Sequence, residues 1–181
     1  MTIREIITFA LRKIGREDIA NAMGKGNPAG EQGDVVDTLL YCVNATEDEL
    51  ARYYFPLVAT ETLSSANGRH SLSYFRHTPV RIVSVKSGGK ECSYRLETDA
   101  LIAPGGAIEV TYHYAPAKKT ISGNSEFSDG NMVALGAAAE YCLICGETSL
   151  AEVWETRYRE AIDRAQSMNS KGAYVPPRRW V

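Results

Sequence analysis

The chain has 181 residues, of which 44% are hydrophobic and 23% are charged, and its formal net charge is -2 at pH 7. A chain of this length and composition can bury one sizeable core, which predicts one domain or one domain with an insertion. Its small net charge gives no electrostatic reason for the whole molecule to coat a polyanion such as nucleic acid, so any basic site must be local.

The distribution of apolar residues bears on the cellular location. No N-terminal stretch resembles a signal peptide, and no apolar run approaches the roughly 18 residues that are needed to span a membrane. We therefore expect synthesis and retention in the cytoplasm, with no membrane partner. The cysteines are too few and too scattered for a disulfide framework, so we expect reduced thiols at Cys42, Cys92, Cys142 and Cys145.

The first 56 residues predict two helices joined by a loop. Thr2 and Glu5 form a capping box, and apolar residues at helical spacing follow it up to a stop signal at Gly15. Residues 17–33 contain four glycines and one proline among polar residues and predict a long loop. A second helix is expected from Asp34 until Pro56 ends it. The acidic residues expected on its exposed side are Glu47, Asp48 and Glu49.

Residues 57–116 change from helical to alternating periodicity, which predicts antiparallel strands with one buried face. The alternation is clearest in residues 91–97 and 108–114. The other expected strands are residues 80–85 and, with weaker patterns, 58–63, 71–74 and 100–103. Turn signals between these segments predict an antiparallel meander that is folded into a small sandwich or barrel.

Two further helices are expected after a polar loop. Residues 132–143 are apolar on nearly every side, which predicts a central helix, and Gly136 would let neighbouring backbones approach it closely. Ser149 and Glu152 form a second capping box at the start of a long amphipathic helix. The outward ion pairs expected on this helix are Glu155 with Arg159 and Glu160 with Arg164.

Together these elements predict an α+β fold. It consists of a four-helix core with an inserted small antiparallel β-sandwich or barrel and an extended C-terminal tail. The expected parts are N-terminal helices in residues 1–56, the β region in 57–116, C-terminal helices in 117–170 and the tail in 171–181.

Several residue groups have the composition of a chemical site, but their patterns favour packing. Cys142 and Cys145 have half of a zinc-site spacing without a second pair, and their apolar neighbours predict core packing and no bound metal. The segment from Gly24 to Gly30 lacks the Gly-Lys-Ser/Thr ending of a phosphate-binding loop and follows no strand, so it predicts a flexible helix connection. We therefore expect no cofactor.

The titratable residues of the β region also lack a catalytic pattern. None of the histidines belongs to a recognisable nucleophile motif, and His113 is expected at the surface or in a subunit contact. The other two histidines are His70 and His77. Acidic residues on the strands, namely Glu91, Glu97 and Glu109, are typical of a solvated sheet face.

The C-terminal tail is the strongest candidate for a binding segment. It has three basic residues and no acidic one, and aromatic residues and arginines dominate protein interfaces. Its paired prolines lower the entropy that is lost on docking. An end of the chain that binds nothing is the alternative. The candidate partner-binding residues are Tyr174, Val175, Pro176, Pro177, Arg178, Arg179 and Trp180.

The order of these parts resembles the bacteriophage head-to-tail adaptor proteins, which include the tail tubular protein A of short-tailed phages and the connector proteins of long-tailed phages. One matching patch is a strand that ends in an aromatic-Pro phrase, residues 108–116, followed by the alanine-rich helix at 134–143. The other is the segment 154–161, followed by a tail that ends in Arg-Arg-Trp-Val. Residues 17–33 have no counterpart in the resemblance.

The resemblance implies a structural role in the neck of a virion. Relatives assemble as a ring, usually a dodecamer, between the portal protein and the tail tube or nozzle, and their C-terminal segment binds the portal. DNA would be only a passing cargo. We therefore expect no catalysis. Two other classes remain open: a small β-barrel module that binds nucleic acid, which the acidic strands oppose, and a cysteine or histidine hydrolase, which lacks a motif.

Overall fold

The computed structural model describes residues 1–170, with side chains up to Ser167. These residues form five α-helices and seven β-strands, which confirms the predicted α+β class. They fall into a helical unit, residues 1–47 and 119–170, and a β unit, residues 48–118. The β unit is thus an insertion in the sequence of the helical unit. Within the described residues, no helix has both the length and the apolar character needed to cross a membrane.

The helical unit is organised around its fourth helix. Its helices are α1 Ile3–Lys13, α2 Glu17–Met23, α3 Glu31–Glu49, α4 Gly130–Ile144 and α5 Thr148–Ser170. Every residue from Met132 to Ala139 is buried, as predicted for a central helix. Gly136 lies against Thr46 of α3 and Tyr158 of α5, and a Cβ atom at this glycine would come within 2.6 Å of Thr46 Cγ2.

The start of α1 confirms the predicted capping box. The Thr2 hydroxyl accepts a hydrogen bond from the backbone N–H of Glu5 at 3.2 Å, and the Glu5 carboxylate accepts one from the N–H of Thr2 at 2.9 Å. Gly15 follows the helix with φ of +76°, a conformation that glycine adopts without strain.

The loop predicted for residues 17–33 is wrong over much of its length. Its first part is the helix α2, which buries Ile19, Ala20 and Met23 on one face. This short apolar face was not recognised from the sequence, because four glycines follow it within residues 24–33. The Arg4 guanidinium also donates to the backbone carbonyls of Met23 at 2.9 Å and Gly26 at 3.2 Å, which holds the end of α2 against α1.

Helix α3 departs from the prediction at both ends. It begins at Glu31 and not at Asp34, and after Glu49 the chain continues in a π-helical turn, Leu50–Tyr54. The prediction that Glu47 is exposed is wrong, because only 1% of this residue is accessible. The Ser125 hydroxyl, from a loop distant in sequence, covers the carboxyl group and donates a hydrogen bond to it.

Helix α5 begins two residues earlier than the predicted N-cap at Ser149 indicated. Thr148 is already helical, so Ser149 lies in the first turn, and the predicted capping box with Glu152 is wrong. Of the two expected outward ion pairs, the first is present, with Arg159 Nε at 2.6 Å from Glu155 Oε1, whereas the predicted pair of Glu160 with Arg164, both among the described residues, does not form.

The β unit contains two antiparallel sheets around one shared core. Its strands are β1 Leu57–Ser65, β2 Arg69–Ser71, β3 Pro79–Ser87, β4 Lys90–Glu91, β5 Arg95–Leu96, β6 Ala100–Ile102 and β7 Gly106–Tyr114. One sheet has the order β1-β7-β3-β4 and the other β2-β6-β5. Their shared core contains Leu63, Phe75, Ile82, Val85, Leu101, Ile108, Val110 and Tyr112. The predicted meander is wrong, because β7 lies between β1 and β3.

The strand predicted for residues 91–97 is wrong as a single element. It consists of two two-residue strands, β4 and β5, which belong to different sheets. Tyr94 and Leu96, which were expected on the buried side, are 41% and 53% exposed. The chain changes sheets within this segment, so its alternation does not describe one continuous face. The candidate at residues 71–74 is also corrected, since Leu72–Tyr74 form a 3-10 turn after β2.

Candidate interaction surface

The four-stranded sheet has a solvated side, which we call the outer face. Strand β7 buries Ile108, Val110 and Tyr112, so the intervening residues of β7 point to the opposite side of the sheet. The strand register extends this side into three rows. They are Val58, His113 and Arg81; Thr60, Thr111 and Ser84; and Thr62, Glu109 and Lys86.

The outer face carries apolar side chains that a solvated sheet face does not need. Val58 is 58% exposed, and Val80 and Val83 are 45% and 50% exposed. Val80 and Val83 lie at the two register shifts of β3, where an extra residue is left out of the pairing with β7. Single exposed valines are common on protein surfaces, and these three give the outer face apolar area that a protein partner can cover.

Strand β1 forms an open edge of this sheet. Within the described residues it is paired only along one side, to β7, in an unbroken register of nine residues. It contains no proline, lysine, arginine or irregularity of register. Strand β3, towards the other edge, begins with Pro79, has two register shifts and is partly covered by β4. Within the described residues, β1 is therefore a long edge strand whose protection against pairing with another chain is limited to one inward-pointing charge, that of Glu61.

The single charged residue of β1 is directed into the β unit. The Glu61 carboxylate accepts a hydrogen bond from the Tyr112 hydroxyl and another from the backbone N–H of Arg76 at 3.1 Å. Burial, followed by this bond to Glu61, raises the pKa of Tyr112 to about 12. The outer row of β1 is therefore left with uncharged side chains.

The histidines predicted to lack a catalytic pattern occupy three different environments. His70 is buried, and its Nε2 lies 3.2 Å from the carbonyl oxygen of Pro104. His77 stacks on Tyr114 with 4.1 Å between the ring centroids. His113 lies half-buried on the outer face, between Val58 and Arg81.

The cysteines divide into buried and accessible groups. Cys42 and Cys142 are fully buried, and burial raises the pKa of Cys42 to about 12 and that of Cys142 to about 11. Both are therefore protonated and weakly reactive near neutral pH. Cys145 follows the end of α4 and is exposed, so the prediction that it packs in the core is wrong. In the part of the chain that the structure describes, no three His, Cys, Asp or Glu side chains converge as metal ligands would.

The acidic residues of the strands have ordinary surface partners. Glu97 bonds to Arg69 at 2.6 Å and to Arg95 at 2.5 Å, and these bonds hold its pKa below the usual range. Glu109 lies 3.8 Å from Lys86 on the outer face, and Glu91 is exposed. These contacts fit the solvated sheet face that the sequence predicted.

The predicted partner-binding residues lie outside the described residues. They are Tyr174, Val175, Pro176, Pro177, Arg178, Arg179 and Trp180. Sequence reasoning did not identify the open edge at β1. The absence of proline and lysine from Leu57–Ser65 was visible, but the position of this strand at a sheet edge depends on the insertion of β7 between β1 and β3.

Comparison with known protein families finds no family model that matches the chain, and no curated protein sequence matches it. What the protein does must therefore be inferred from its residues and their geometry.

Proposed function

We propose that the protein is a structural subunit of a virion, the head-to-tail adaptor that joins the portal protein to the phage tail. It works by binding other proteins and has no catalytic step. The observation that carries this proposal is the β unit's outer face, with three exposed valines beside an open edge strand. Such a surface is suited to contact with protein and supplies no group that is activated for chemistry.

The order of the parts supports the more specific role in the virion neck. The helical unit is interrupted in sequence by the β unit, and β7 with its aromatic-Pro ending precedes the alanine-rich helix α4. The adaptor proteins that the chain resembles have their parts in this same order. In the proposed ring, each copy contacts its neighbours through two different patches, and repetition of that contact closes the circle.

In the proposed ring, the C-terminal tail of each copy binds the portal protein. Tyr174 and Trp180 supply apolar anchors, and Arg178 and Arg179 can each make bidentate bonds to partner carboxylates. The opposite side of the ring would contact the tail tube or nozzle. DNA would pass through the ring as cargo. The outer face supports the view that DNA is not a bound partner. Lys86 is close to Glu109 there, and the face has no continuous row of basic residues.

The tail provides the first test. Deletion of residues 172–181 is expected to abolish binding to the portal protein and to leave the melting temperature nearly unchanged, because a tail without helical or strand periodicity adds little to the core. Trp180→Ala alone should weaken portal binding by roughly 2 kcal/mol if the indole fills a pocket. Val181→Ala is the matched control within the same segment and should bind normally. Binding can be measured by calorimetry with the purified portal.

Particle assembly gives the decisive outcome for this proposal. A protein without residues 172–181 that still joins the portal and yields infectious particles would contradict the role of the tail. Strong retention on phosphate-bearing resin at low salt would instead support the nucleic-acid module. Labelling by an active-site thiol probe that a single cysteine substitution abolishes would support the hydrolase.

A further inference from the structure

The β1 edge has a sequence that is complementary to itself. Two antiparallel copies of β1 can be aligned so that the Thr60 residues face each other across a two-fold axis. This register places Val58 opposite Thr62 and Leu57 opposite Leu63 of the second copy. β-Branched residues therefore pair with each other on the outer face, and leucines pair with each other on the inner face.

Charge selects this register over the neighbouring one. With Thr60 at the axis, Glu61 lies opposite Ala59 of the second copy, and no charge faces a like charge. A shift that centres the pairing on Glu61 would place two carboxylates directly opposite each other, which is unfavourable in a cross-strand pair. The bonds from Tyr112 and Arg76 also keep the Glu61 side chain on its own inner face.

We propose that the β1 edge binds the β1 edge of a second copy of this chain, antiparallel and with Thr60 on the two-fold axis. The two four-stranded sheets then form one continuous eight-stranded sheet. This contact goes beyond the proposed ring, because it joins identical patches, whereas a ring joins different ones. It covers the long, weakly protected edge that β1 presents in the described part of the free subunit.

The size of the contact determines its strength. In this register residues 57–63 of each copy face one another, which is a small contact beside the roughly 1,200–2,000 Å² that stable protein interfaces bury. The dimer is therefore weak and reversible, and it forms at high protein concentration. The proposed assembly on the portal can displace it.

Cysteine cross-linking tests the pairing directly, in a Cys145→Ser background that removes the exposed thiol. Thr60→Cys is expected to form a disulfide-linked dimer on mild oxidation, because directly opposed residues of antiparallel strands have Cα atoms about 4.5–5.5 Å apart, within disulfide reach. Thr111→Cys is the matched control. Thr111 lies beside Thr60 on the outer face, and their hydroxyl oxygens are 3.0 Å apart, but β7 is a central strand. It should not cross-link.

The other cross-linking results overturn the proposal. If both variants cross-link, the contact is between outer faces and not between edges. If Thr60→Cys remains monomeric while a Thr60→Cys/Thr62→Cys double variant cross-links, the register is centred on Glu61. If nothing cross-links, the edge does not bind a second copy.

A charge substitution provides an independent test in case the cysteine variants fold poorly. Thr60→Lys places two lysines at the two-fold axis, whereas Thr111→Lys adds the same charge and removes the same hydroxyl pair without altering the edge. In sedimentation velocity over a concentration series, the wild type and Thr111→Lys should show a growing dimer fraction, and Thr60→Lys should remain monomeric. A wild type that stays monomeric throughout, or equal dimer fractions in all three proteins, would refute the pairing.

The test of this pairing is separable from the test of the portal role. Thr60→Lys should still bind the portal, because the tail is unchanged. A protein without residues 172–181 should still form the dimer, because β1 is unchanged. Failure of one contact therefore leaves the other measurable.

Discussion

Glu47 is a buried carboxyl group with a hydrogen bond to only one of its two oxygens. The Ser125 hydroxyl donates to one carboxyl oxygen, while the other is buried without a partner in the described residues. Burial raises the pKa of Glu47 above its ordinary value, against the opposing effects of the Ser125 bond and of Lys119. The protonated form is thus favoured by the fold more than it is in the unfolded chain.

The pH dependence of stability follows from this shift. Because the folded pKa is the higher one, the contribution of Glu47 is fully present below the ordinary pKa of about 4.3 and is lost as the pH rises through the folded pKa. Glu47→Gln removes this dependence. The free energy of unfolding of the variant, relative to wild type, should therefore be higher at pH 7 than at pH 4, as urea titrations at several pH values would measure.

A control on the same helix makes the result specific. Asp37 of α3 is exposed, and Asp37→Asn is the matched replacement of an acid by an amide on this helix. A Glu47→Gln difference whose pH dependence is no larger than that of Asp37→Asn would show that the buried carboxyl group does not titrate as described.

Cys142, in the last turn of α4, and Cys145, just after the end of this helix, offer a matched pair of thiols. Cys142→Ser should lower the free energy of unfolding by about 1 kcal/mol, because it places a hydroxyl group in a fully buried apolar site. Cys145→Ser, at an exposed position, should have little effect. Chemical denaturation of both variants checks this expectation. Stoichiometric zinc in the purified wild type, measured by mass spectrometry, would contradict the packing role.

At the scale of elements, the close packing of α4 depends on the missing side chain at Gly136. A Cβ atom at this position would lie 2.6 Å from Thr46 Cγ2 and 3.0 Å from Tyr158 Cε2, so three helices meet at this glycine. Thr46 is itself held, since its hydroxyl donates to the carbonyl of Cys42 at 2.9 Å. An added methyl group therefore cannot be accommodated by a simple side-chain rotation.

Gly136→Ala should be destabilising although alanine is the better helix former. The propensity gain is about 1 kcal/mol, whereas overpacking of a tight core contact costs about 1–3 kcal/mol and disturbs both neighbouring helices. Thermal unfolding followed by circular dichroism would measure the net loss. Glu140→Ala, at an exposed position of the same helix, is the control and should be nearly neutral. A more stable Gly136→Ala protein would mean that the helices separate easily.

At the scale of the whole molecule, the proposed function predicts a change of assembly state on contact with the portal. Ring contacts become favourable when the portal holds many tails at one site, because the next contact is then effectively intramolecular. Native mass spectrometry should show monomers, weak dimers or rings for the isolated protein and a shift to rings when portal is added. A strong dimer that is unaffected by portal would contradict the adaptor role.

The sequence alone determined those features that depend on residues close together in the chain. The capping box of Thr2 and Glu5, the apolar residues that make α4 central and the alternation of β7 are local patterns, so the α+β class and most element positions followed from them. The tail was also singled out by composition, although it lies outside the described residues.

Only the tertiary structure decided the features that depend on residues far apart. The burial of Glu47 requires Ser125 from a distant loop, and α2 is secured by Arg4 through backbone carbonyls. The open edge at β1 exists because the last strand of the β unit pairs between β1 and β3. A local pattern can show that a segment is a strand with one apolar side. Which strand becomes its neighbour is decided by the long-range packing of the shared core, and that packing leaves β1 at the edge of its sheet.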